Sequence, residues 1–67
     1  MKIQIVNSTN TNYIEIGTTD GYYAKPVPRV GERINLGYLP VPQVDSVVYD
    51  YENKIVYVHI DSPFLKE

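Results

Sequence analysis

The chain has 67 residues, 43% hydrophobic and 21% charged, with a formal net charge of -2, no cysteine and one histidine. That length holds one domain and no second. The composition excludes a disulfide framework, thiolate chemistry and multi-histidine metal sites, and the near-balanced charge excludes a polyanion-binding tail or an acidic nucleic-acid mimic. No signal peptide is visible and no apolar run approaches membrane-spanning length, so a soluble cytoplasmic protein is expected.

Seven Ile, nine Val and seven Tyr tilt the chain toward strands. Met1 to Val6 alternates, with Ile3 and Ile5 on one face and Lys2, Gln4 and Val6 on the other. Asn7 to Asn12 is a polar turn of residues that bond their own backbone. Its Asn7-Ser8-Thr9 sequon carries no meaning without a secretory signal. Tyr13 to Thr18 alternates again, Ile14 and Ile16 inward and Tyr13 and Glu15 outward, which closes a first hairpin. Thr19-Asp20-Gly21 turns the chain and Tyr22-Tyr23 follow. Lys25 to Val30 holds Pro26 and Pro28, which lack the ladder donor, and is a loop or an edge. Gly31 supplies a sharp turn into a third strand, with Ile34 and Leu36 inward and Arg33 and Asn35 outward.

Gly37 to Pro42 interrupts the chain, with one helical turn near Val41 to Gln43. Val44 to Tyr51 and Lys54 to Asp61 form a fourth and a fifth strand around Glu52-Asn53, where Asn53 suits a left-handed conformation. The register of this hairpin is open. A two-residue loop pairs Tyr49 with Val56 and puts Val47, Tyr49, Val56 and Val58 on one face, whereas a bulged loop aligns Val48 with Val56 and turns Tyr49 outward. Val56, Val58 and Ile60 are core either way, leaving Ile55, Tyr57 and His59 outside. The domain is placed at residues 1–62. A tail follows at 63–67, where Phe64 and Leu65 plug one end of a barrel or dock on a partner. The expected fold is all-β, a small five-stranded antiparallel barrel or rolled sheet.

The Pro-Val-Pro-x-Val pattern occurs at Pro26 to Val30 and again at Pro40 to Val44. It makes two donor-poor approaches to neighbouring strands. A polyproline ligand is the alternative, and packing of Val27 or Val41 would remove it. A domain this small buries only about 60% of its extended surface. Without disulfide or metal staples, a tight barrel or homo-oligomerisation must supply the margin.

Tyr57, His59 and Asp61 alternate on one strand, but no Ser or Cys nucleophile motif and no second His accompany them, so a solvated or interface histidine is expected. Asp45, Asp50, Glu52 and Asp61 have no reason to converge on a pocket. No glycine-rich phosphate loop is present. The expectation is therefore no enzyme, no catalytic residue, no cofactor and no metal. A protein with seven Tyr cannot hide them all in so small a core, and Tyr and Arg favour interface hot spots. The candidate partner- or ligand-binding residues are Tyr22, Tyr23, Arg29, Arg33, Tyr38, Tyr57 and His59. Two other uses of these residues stand beside protein docking. One is a homo-oligomer that sequesters a small nucleotide-like ligand by Tyr stacking and Arg29 or Arg33 on phosphate. The other is single-stranded nucleic-acid binding, whose electrostatic footprint here is weak.

Val27 to Leu36, then Val44 to Tyr51, then the closing Val56 to Ile60 strand carry a pattern of Pro-Arg-Val-Gly-acidic-x-Ile, a Val-rich strand with an aromatic-acidic turn, and an alternating strand. The pattern resembles small uncharacterised all-β barrel proteins of bacteriophages and mobile elements. It covers roughly the C-terminal two-thirds and departs at Tyr38 to Pro42, where a shorter connection is expected. The resemblance implies a small barrel of phage type, acting in the cytoplasm of a bacterial host. It transfers no catalytic residue. The leading expectation is an accessory protein that docks on a host protein, with a defence system as the target it blocks, and that makes no use of a membrane.

Overall fold

The computed structural model describes residues 1–8, 12–37 and 41–61. Four strands form one mixed sheet in the order β2-β1-β4-β3: β1 (Lys2–Asn7), β2 (Tyr13–Thr18), β3 (Val44–Asp50) and β4 (Ile55–Ile60). Hairpins β1–β2 and β3–β4 are antiparallel, and the two central strands β1 and β4 run parallel. The structure thus corrects the expected architecture in three respects: four strands instead of five, a mixed sheet instead of an antiparallel one, and an open sheet instead of a closed barrel.

The strand count differs because the expected third strand does not form. Ile34 and Leu36 do pack inward on the core, and Arg33 and Asn35 are exposed, so the alternation is real. The segment nevertheless makes only an isolated bridge, Arg33 to Gln43, plus a bond from Ile34 N to the Pro42 carbonyl at 2.9 Å. Pro26 and Pro28 donate nothing, and Gly31 (φ 90°) breaks the run. Residues 41–43 hold no helical turn; Gln43 takes the bridge instead.

The described residues 19–37 and 41–43 therefore belong to an irregular strap between β2 and β3 that packs on one face of the sheet. A parallel pair such as β1–β4 requires a crossover of this kind. The strap is tied to both edge strands. At the β2 edge, Lys25 N donates to the Thr18 carbonyl at 2.8 Å and Lys25 Nζ to the Ile16 carbonyl at 2.9 Å. At the β3 edge, Gly31 N donates to the Val44 carbonyl at 3.0 Å and Val44 N to the Glu32 carbonyl at 2.8 Å. The polar backbone of the strap and part of each exposed sheet edge satisfy one another.

Registers assign the faces. Under the strap lie the rows Ile14–Ile5–Val58–Val47, Gly17–Ile3–Val56–Tyr49 and Asn7–Ile60–Val44. Ile3, Ile5, Val44, Val56, Val58 and Ile60 form the buried core, with Val27, Ile34 and Leu36 of the strap against it. Two bulges bring the rows into line. Asp45 is the extra residue that lets Val44 and Val47 share a face, and Ile16 is the extra residue in β2. Ile16 still packs on the core as expected, but Ile14, expected inward, is 38% exposed because its edge strand has a neighbour on one side only. Asn7, expected in the turn, is instead the last residue of β1 and fully buried.

The last hairpin takes the Tyr49–Val56 register, which turns Tyr49 to the strap face. Its loop spans residues 51–54, and the left-handed residue is Lys54 (φ 59°), not Asn53. Asn53 serves the turn in another way: the Asp50 carboxylate accepts from Asn53 N at 3.1 Å and from its Nδ2 at 2.9 Å. Val27 packs on the core and Val41 is half-buried, which removes the free polyproline reading of the two Pro segments. Phe64, Leu65 and the rest of the expected tail lie outside the described residues.

Candidate partner-binding groove

Where the strap bends over the sheet it leaves an open groove of about 1010 Å³. Val27 and Ile34, which also pack on the core, form its apolar floor, with Pro26 and Pro28 beside them. Arg29 and Arg33 line it from the strap and Tyr49 from β3. Connections as long as this strap without regular structure are uncommon in compact domains and usually functional.

A local device presents the two arginines. Glu32 N donates to the Arg29 carbonyl at 3.0 Å, and Arg29 N donates to Glu32 Oε1 at 2.6 Å. With Gly31 at φ 90° in the third position, residues 29–32 have the φ signature of a type II turn, locked by its own carboxylate. Glu32 thus turns its charge to the backbone. Among the described residues the ion pairs are Met1–Asp20 and Lys2–Glu15, so neither guanidinium has an acidic partner. Lys25, four residues before Arg29, does not line the groove. Its stem crosses Gly17, where a built Cβ would lie 3.0 Å from Lys25 Cδ, and its Nζ is held by the Ile16 carbonyl.

Among the described residues, Tyr49 is the aromatic residue of the groove lining, and two exposed ring pairs lie on this molecule. Tyr49, 48% exposed, stacks on Tyr51 with centroids 6.1 Å apart and planes at 23°. Tyr22 and Tyr23, 94% and 81% exposed, meet edge to face at 5.0 Å. Thr18, Lys2, Ile55 and Asp50 form one cross-strand row, so the turn carrying Tyr22-Tyr23 and the hairpin loop carrying Tyr51 leave the sheet at the same end.

Of the seven residues expected to bind, the structure brings Arg29 and Arg33 together and puts the exposed Tyr22-Tyr23 pair on the turn at the start of the strap. Tyr57 and His59 stand on the opposite face, in the rows Glu15–Gln4–Tyr57–Val48 and Tyr13–Val6–His59–Ser46. They do not share a site with the arginines. Tyr38 lies outside the described residues. Sequence reasoning missed Tyr49 and Tyr51, and the one signal for Tyr49 was the two-residue-loop register of the last hairpin. Among the described residues no three His, Asp or Glu side chains gather as a metal site, and no helix is long and apolar enough to cross a membrane.

Two carboxylates carry displaced pKa values, both at turns: Asp20, which is exposed, and Asp50, which is half-buried. Asp20 is held below its ordinary 3.8 by a hydrogen bond from the N-terminal ammonium and by that group's charge. Asp50 is held below 3.8 by the donors of the Asn53 side chain and backbone. Each serves a turn, and neither lines the groove.

No protein-family model, curated protein or solved structure matches this chain.

Proposed function

We propose that this protein acts by binding and not by catalysis, and that the groove beneath residues 26–35 is the face it presents to a protein partner. The observation that carries the reading is that Arg29, Arg33 and Tyr49, which stacks on Tyr51, line one open groove with an apolar floor, and that neither guanidinium is ion-paired among the described residues. Arg and Tyr are the side chains that concentrate binding energy at protein interfaces, each joining contact area to a polar handle. The likeness to small phage proteins suggests an accessory module that docks on a host protein, a defence component among the candidates.

Panning a random peptide display library on the folded protein tests this. Enriched peptides should compete with one another for one site and lose affinity when Arg33→Ala and Tyr49→Ala are combined, while circular dichroism of the variant stays that of the parent. An absence of enrichment, or binders indifferent to the double substitution, would overturn the reading.

A further inference from the structure

From the same groove, and resting on the reading above, we infer the chemistry of the partner: a short extended segment that carries carboxylates beside a ring, Pro or aromatic. Three observations converge. Among the described residues, Glu32 is the one carboxylate in the groove lining; it accepts from Arg29 N and closes its own turn, and neither Arg29 nor Arg33 is ion-paired there. The Tyr49–Tyr51 stack and the Val27–Ile34 floor offer a ring or an apolar side chain a place to lie next to that charge. The chain as a whole carries -2.

The last point separates ligands by their reach. A nucleic acid spreads its phosphates over many times the screening length of about 8 Å at physiological salt, and so meets the repulsion of the whole acidic surface. Lys25, which would have extended the cationic track, is bonded to the Ile16 carbonyl. One or two carboxylates placed in the groove feel the nearby guanidiniums, each of which can donate a bidentate pair of hydrogen bonds to a carboxylate.

The test uses a fluorescein-labelled peptide of sequence Gly-Ser-Glu-Glu-Pro-Phe-Glu-Glu-Ser, the same peptide with Gln for every Glu, a labelled oligo-dT and ATP. Fluorescence anisotropy reports the labelled probes, and competition reports ATP. The Glu peptide should bind at least about tenfold more tightly than the Gln peptide, weaken by a similar factor in Arg29→Glu/Arg33→Glu, and weaken further with added salt. Lys54→Glu, a charge change of the same sign outside the groove, should leave the Glu peptide bound. Equal affinity for the Glu and Gln peptides, or tighter binding of oligo-dT or ATP, overturns the inference. Library peptides that bind the groove but prove neutral overturn this inference alone and leave the groove as a docking site. Binders that ignore the groove overturn both.

Discussion

The two faces of the sheet solve the burial problem differently. The buried core of the strapped face is Ile and Val from three strands, covered by Val27, Ile34 and Leu36 of the strap. The opposite face mixes Gln4, Val6, Tyr57, His59 and Val48, with Val6 only 8% exposed and Val48 48%. Covering a face does not require a helix or a second sheet. Irregular backbone suffices where its donors and acceptors reach both edge strands, as they do at Thr18 and Val44. The strap is also what makes the groove, since a helix with its side chains close-packed on the sheet would leave less room for one.

The largest expected contrast comes from truncating one residue on each face. Ile5→Ala removes buried volume from the core and should cost about 2–5 kcal/mol, enough to unfold much of so small a domain at 25 °C. Val48→Ala on the other face should cost roughly 0.5 kcal/mol or less, as for ordinary surface changes. Urea unfolding followed by circular dichroism measures both; equal losses would mean that the second face is as tightly covered as the first.

The tie between strap and sheet gives the middle effect. Gly17 has φ 153° and lies under the Lys25 stem. Gly17→Ala should destabilise by about 1–3 kcal/mol, mostly through backbone strain. In a Lys25→Ala background the cost should fall by the part that comes from displacing that stem. A double-mutant cycle reads the difference, and perfect additivity would show that the stem does not press on Gly17.

Acid gives the smallest effect, and it belongs to the hairpin loop and not to either face. The folded pKa of Asp50 lies below 3.8, so on acidification the unfolded chain takes up the proton first. The carboxylate's contribution is complete above that ordinary value and is lost as pH falls through the lower folded one. The urea midpoint should therefore hold from pH 7 to about 5 and decline below about 4. The decline should be shallower in Asp50→Asn, with Asp20 contributing in the same direction. A midpoint that already falls between pH 7 and 5 would point to a different group.

Much of the fold was legible in the order of residues. Alternation located all four strands and their hairpins, Ile3, Ile5, Val56, Val58 and Ile60 announced themselves as core, and Gly31 marked its turn. Ile34 and Leu36 were recognised as inward-facing yet misread as a strand, because period-2 burial is shared by any extended chain and only pairing makes a ladder. The candidate site was half visible. Arg29 and Arg33 stood out beside the prolines, whereas Tyr49 could not be placed while the hairpin register was open, and Tyr57 and His59 proved to belong to the other face.

What the amino-acid order determined alone is the all-β character and most of the apolar core, since both follow from local sterics and from alternation along an extended backbone. The parallel pairing of β1 with β4, the open sheet, the single-residue bulges and the place of Arg33 and Tyr49 in one groove were decided by tertiary structure. They depend on hydrogen bonds between segments distant in sequence, and nothing in a residue's immediate neighbours records which distant backbone will accept its N–H.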